Sequence, residues 1–76
     1  MTHAFTLEVS GIDPTRPNYE DPLYEAGCND ALIVVRDGVV FLDFEREAPS
    51  FDDAVKSAER DVIIAGGRVV RVRCCP

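Results

Sequence analysis

The stretch ALIVVRDGVVFLDF, residues 31–44, decides how the chain is read. Asp37-Gly38 stands between two apolar runs. This is the strongest short-range hairpin signal, because a type I′ turn needs positive φ at both central positions. A two-residue turn also fixes the register. Arg36 then lies opposite Val39, Val34 opposite Phe41 and Leu32 opposite Asp43, all on one face. Val35, Ile33 and Ala31 share the other face with Val40, Leu42 and Phe44. Both faces of the hairpin are therefore apolar, in a chain of 76 residues that has material to cover one.

Upstream, FTLEVS (residues 5–10) alternates, with Phe5, Leu7 and Val9 on one side and Thr6, Glu8 and Ser10 on the other, as a half-buried strand does. GIDPTRPN (residues 11–18) carries two prolines and a glycine and reads as a loop. YEDPLYEAG (residues 19–27) predicts a short helix. Asp21 is its expected cap, Pro22 suits the first turn, and Gly27 suits the left-handed residue that stops it. Leu23 and Ala26 face inward.

Downstream, APSFDDAVKSAERDVIIAGG (residues 48–67) predicts a longer helix. Ser50 is a natural N-cap with Asp53 three residues on, and Asp52 and Asp53 place negative charge at the positive end of the helix dipole. Phe51, Ala54, Val55, Ala58, Val62 and Ala65 form one stripe, and Gly66 ends the helix. Ile63 and Ile64 each lie roughly 130° from the centre of that stripe, on opposite sides, given the helical period. One of them is expected to tuck under the chain end, and otherwise the pair offers a second contact point. RVVRVR (residues 68–73) is the last strand, with Val70 and Val72 inward and Val69, Arg71 and Arg73 outward.

The order strand, helix, strand, strand, helix, strand is the βαββαβ pattern of ferredoxin-like folds. One α+β domain over residues 1–76 is predicted: a ferredoxin-like sandwich whose four-stranded antiparallel sheet carries both helices on one face. The expected spatial order is fourth, first, third, second strand, which leaves the second strand as an open edge. The first helix is short, so the covered face is incompletely shielded. The opposite face then carries Leu32, Val34, Val39 and Phe41, beside Thr6, Glu8, Ser10, Arg71 and Arg73. An apolar patch of this size commonly marks an interaction site, although β-branched residues are also simply favoured in strands. Glu8 beside Arg71 and Arg73 is expected to form cross-strand ion pairs.

Fourteen acidic residues face eight basic ones, a formal charge of −6, which argues against a nucleic-acid phosphate backbone as the main ligand. The balance is uneven. Residues 1–65 hold all the acids and five bases, and residues 66–76 hold Arg68, Arg71 and Arg73. Three cysteines, Cys28, Cys74 and Cys75, make no disulfide framework. No signal peptide or membrane span is read, so the expected setting is cytoplasmic and reducing, with Cys28 half-buried and a terminal Cys74-Cys75 pair exposed.

Chemistry is sparse. His3 is the one histidine and is expected to be solvated near the terminus. No metal site, no cofactor and no activated nucleophile is expected, and Glu45, Glu47, Asp52 and Asp53 read as solvated charge rather than an acid–base pair. Arg16 sits in the loop where a phosphate cradle would form, but two prolines there remove backbone donors. Sheet-face RNA binding wants several exposed aromatics, and Phe41 stands alone among acids. A regulatory small-molecule site, as in amino-acid-binding ACT-type domains, stays open, with Gly11 in the first loop.

YEAGCNDALIVV (24–35), VVFLDFEREAPS (39–50) and AVKSAERDVIIAGGRVVRV (54–72) resemble a bacterial family of small proteins. Its longer relatives look like transcriptional regulators or antitoxin-like proteins, in which such a domain precedes a helix-turn-helix. The chain stops at Pro76, where that second domain would begin, so direct DNA binding is not carried over. The resemblance implies a sensing or partner-binding domain and offers no catalytic residues to carry over. The expected function is a non-enzymatic interaction module, antitoxin-like or regulatory. It binds a protein, such as a toxin or a basic nucleic-acid-binding protein, or itself as a homodimer. The expected contact residues are Leu32, Val34, Arg36, Val39, Phe41, Asp43, Arg71 and Arg73, with Ile63 and Ile64 as the second point. The alternative is a regulatory domain that senses a small molecule held at a homodimer interface.

Overall fold

A computed structural model describes residues 1–74. The elements are β1 (Thr2–Ser10), α1 (Asp21–Ala26), a single 3-10 turn (Cys28–Asp30), β2 (Ala31–Arg36), β3 (Val39–Glu47), α2 (Phe51–Ile64) and β4 (Arg68–Cys74). The protein is α+β, with one four-stranded antiparallel sheet in the order β2-β3-β1-β4. Read from its other edge, this is fourth, first, third, second, and β2 and β4 are the edges.

The hairpin forms as its turn chemistry dictates. Asp37 and Gly38 both take positive φ, at 52° and 77°. The pairs Arg36–Val39, Val34–Phe41 and Leu32–Asp43 follow in register, interleaved with Val35–Val40, Ile33–Leu42 and Ala31–Phe44. β3 and β1 both run longer than their alternating apolar cores. They pair from Val9–Val40 out to Thr2–Glu47.

α2 starts where Ser50 accepts a hydrogen bond from the Asp53 backbone N–H at 3.1 Å. It ends with Gly66 at φ 96°, where the Gly66 and Gly67 amides close onto the Ile63 and Val62 carbonyls. α1 differs from expectation at its start. Glu20, not Asp21, is the flanking residue, no side chain caps the helix, and Asp21 lies in the first turn. Gly27 terminates it in the left-handed region, at φ 116°.

The core is a single layer between sheet and helices. Phe5, Leu7 and Val9 of β1 and Val40, Leu42 and Phe44 of β3 meet Leu23, Cys28, Ala54, Val55, Ala58 and Val62, all buried. Phe5 stacks on Phe44 and takes the edge of Phe51. The two flanks are thinner. Val35 at the β2 edge is 43 % exposed, because one short helix and a 3-10 turn cannot reach across β2, and Val72 at the β4 edge is 39 % exposed.

The last strand corrects the reading of its faces. Glu8 pairs with Arg71 but Val9 pairs with Val69, so Val70 is an extra residue opposite the β1 ladder. This β-bulge reverses the alternation. Val69 packs on the core and Val70 is exposed, the opposite of the simple period-2 assignment. Beyond the bulge Val72 faces in with Leu7, and Arg71 and Arg73 face out, as expected.

Candidate functional site

Among the described residues, no other element covers the face of the sheet away from the helices. On β2 and β3, Leu32, Val34, Val39 and Phe41 adjoin one another through the hairpin register. Leu32 is 66 % exposed, and the other three are half-buried. Val34 and Phe41 form the centre, Arg36 and Val39 stand toward the turn, and Leu32 and Asp43 stand away from it. Across β1, Thr6 lies between Asp43 and Arg73, and Glu8 between Phe41 and Arg71. The Thr6 hydroxyl donates to Asp43.

Eight of the ten expected contact residues are thereby brought to one face: Leu32, Val34, Arg36, Val39, Phe41, Asp43, Arg71 and Arg73. Ile63 and Ile64 are not among them. They sit on α2, in the helix layer, and both are exposed, at 65 % and 67 %, so neither tucks under the chain end. The expected ion pairs of Glu8 with Arg71 and Arg73 do not form. Glu8 and Arg71 are register partners, but among the described residues no ion pair joins them.

Among the described residues the densest polar cluster lies elsewhere, around Arg46. Arg46 continues the core-facing parity of Leu42 and Phe44 past the end of the apolar run, so its guanidinium enters the layer between sheet and helices. Nε and one Nη donate to the two Asp30 oxygens at 2.8 and 2.9 Å, a bidentate pair. The same Nη also donates to the Gly27 carbonyl at 2.9 Å, and the other to Asp61 at 3.0 Å and the Ser57 hydroxyl at 3.1 Å. All five guanidinium N–H donors are used. The cation also lies 4.9 Å from the Phe44 ring centre. The Arg46 hydrogen bond holds the Asp30 carboxyl below the usual aspartate range.

Gly27 is matched to this cluster. A Cβ there would come within 2.8 Å of the Asp61 carboxylate. The signal was present in the sequence: an arginine at a core-facing position must find carboxylates, but which ones depends on the chain path through Gly27–Asp30.

The thiol of Cys28 lies beneath this cluster, fully buried, and burial followed by the nearby Asp61 charge pushes its pKa up to about 11. The thiol is therefore protonated and a poor nucleophile. His3 is not solvated as expected. It is half-buried with its ring edge-on to Phe51 at 6.1 Å, and its Nε2 has no hydrogen-bond partner among the described residues. Glu47 pairs with the N-terminal amine and Thr2, and Asp52 with Lys56, so the flanking acids are engaged separately. Among the described residues no group of three potential ligands stands ready for a metal ion. The side chain of Cys74 and all of Cys75 lie outside the described residues.

A cleft of about 490 Å³ opens between the β1–α1 loop and the end of α2. Ile12, Asp13, Arg16 and Tyr19 line one wall and Ala65 and Gly66 the other. Asp13 is engaged by the Thr15 hydroxyl and backbone N–H, which lower its pKa. Among the described residues the Arg16 guanidinium makes no ion pair. No helix among the described residues is long and apolar enough to cross a membrane. Compared with protein-family models, with curated proteins and with solved structures, the chain gives no match.

Proposed function

We propose that this chain is a non-enzymatic protein-interaction module, antitoxin-like or regulatory, which docks a protein through the open face of its sheet. The observation that carries the reading is the continuity of Leu32, Val34, Val39 and Phe41 on a face covered by no helix. Burying each such side chain in a partner is worth about 1.5–3 kcal/mol of transfer free energy before association costs. Arg36, Asp43, Arg71 and Arg73 at the rim supply orientation and specificity. The regulatory or antitoxin-like role is the one implied by the family resemblance of residues 24–72. The element order and the sheet order support a ferredoxin-like βαββαβ fold as its scaffold.

The test is co-purification of the tagged chain from its native host. Phe41→Asp is expected to release the bound protein, and Ile63→Asp, on the helix side, to retain it. Loss with Ile63→Asp and retention with Phe41→Asp would move the docking surface to the helices and end this reading.

The cleft beside Arg16 favours a second reading, a regulatory domain that senses a small molecule at a homodimer interface. A thermal-shift screen with amino acids and nucleotides separates the two, since a ligand that binds the folded state raises the melting temperature. A shift abolished by Arg16→Ala and untouched by Phe41→Asp would favour the sensor.

A further inference from the structure

We propose that the occupant of the open sheet face is a second copy of this chain, packed sheet to sheet about a two-fold axis; this rests on the reading of that face as a docking surface.

Charge selects the partner. Register and alternation point four bases outward from the sheet: Arg36, Arg68, Arg71 and Arg73. They point four acids outward as well: Glu8, Asp43, Glu45 and Glu47. The face is formally neutral, and the whole net charge of −6 lies on the rest of the molecule. Two like-charged bodies repel through every other surface and approach most readily through this one. A strongly basic protein would instead be drawn to the helix side, where the excess acid is.

The pattern along the hairpin is self-complementary. Val34 and Phe41 are at the middle, Arg36 is two residues toward the turn, and Asp43 is two residues away from it. A two-fold axis running across the strands at Val34–Phe41 lays apolar hairpin on apolar hairpin. It also brings each Arg36 over the end of the hairpin where the other copy carries Asp43, twice by symmetry. Two copies share one sheet twist, so their faces stack at the roughly −30° of aligned sheet packing.

Area points the same way. Four strands spaced about 4.8 Å apart and about 25 Å long offer roughly 500 Å² in projection, and corrugated side chains add to it. This approaches the roughly 800 Å² per partner of a standard stable interface. Pairing along the β2 edge, six residues long, would cover a small part of that.

Light scattering coupled to size exclusion, over a wide concentration range, tests the proposal on the whole chain. A dimer is expected. Phe41→Asp should weaken it by about 100-fold or more, with far-UV circular dichroism unchanged. Arg36→Asp and Asp43→Arg should each weaken it about ten-fold, and the double exchange should recover most of the loss, because each copy then presents the swapped pair to the other. The charge exchange decides the matter even if Phe41→Asp fails to fold. A monomeric wild type overturns the second copy; if Phe41→Asp still releases a host protein, the face docks a foreign chain and the functional reading survives. A dimer indifferent to Phe41→Asp and to both charge exchanges overturns the proposal and removes the open face from its cause.

Discussion

Arg46 carries more of the architecture than any other polar residue among those described. Its guanidinium joins β3 to the Gly27–Asp30 turn and to α2, through Asp30, Asp61, Ser57 and the Gly27 carbonyl. Removing the cation leaves two carboxylates without their counter-charge, Asp61 with 16 % of its side chain exposed and Asp30 with 32 %. Breaking such a pair from one side costs about 3 kcal/mol. A domain of this length has a total stability of roughly 4–11 kcal/mol, so Arg46→Met should remove a large fraction of it in urea denaturation. The same cluster sets a pH dependence. Arg46 holds the Asp30 pKa below its unfolded value of about 3.9. The unfolded state therefore binds more protons in the window between the two values. The stabilisation is complete above the unfolded pKa and is lost as pH falls through the folded one. Asp30→Asn should lower stability at neutral pH and flatten part of this acid limb, leaving the part due to Asp13 and Glu47. This cluster was legible in the sequence only as a parity anomaly, a charge at a core-facing position after Phe44. Its partners come from a turn 16 residues away and a helix 15 residues away, and no local rule assigns them.

At the scale of the elements, what could be read was what local chemistry determines. Asp37-Gly38 fixed the hairpin and six cross-strand pairs, Ser50 fixed the start of α2, and Gly27 and Gly66 fixed two helix ends. β4 escaped, because RVVRVR holds three valines and three arginines and period-2 alternation can be started from either Val69 or Val70. The choice is made by tertiary packing. Val69 is needed beside Val9 and Val72 beside Leu7, and two inward positions three residues apart require one extra residue between them. The bulge at Val70 is the result. A deletion tests it directly: removing Val70 leaves Val69 and Val72 two positions apart, the spacing of an unbulged strand. The deleted chain should fold with a loss of less than about 1 kcal/mol, measured by thermal melting, because no inward side chain is lost. A loss of several kcal/mol would mean that the bulge itself supports the β4 edge. Unlike β4, β2 carries no register shift within its paired residues.

For the molecule as a whole, the apolar content exceeds what two helices can cover, and the excess is sorted by face. Leu42 is fully buried against the helices and its chain neighbour Phe41 is half-buried on the open side. Leu42→Ala should cost about 3 kcal/mol in equilibrium unfolding, through lost burial and a cavity. Phe41→Asp should cost the monomer about 1–2 kcal/mol, less than Leu42→Ala, while acting chiefly on association. Equal and large losses from both would mean that the outer side chains belong to the protomer's own packing. The general position of the open face was legible because the register follows from the turn, and alternation already places Arg71 and Arg73 on it, whereas its electrical neutrality emerges only when the bulge at Val70 turns Arg68 outward opposite Ser10. One buried group turns these ideas into something that can be timed. The sulfhydryl of Cys28 is sealed beneath the arginine bridge and held protonated there. It meets an alkylating reagent only when the layer above it lifts. In a background where Cys74 and Cys75 are serine, the labelling rate of that single thiol becomes a clock for how often the helices part from the sheet.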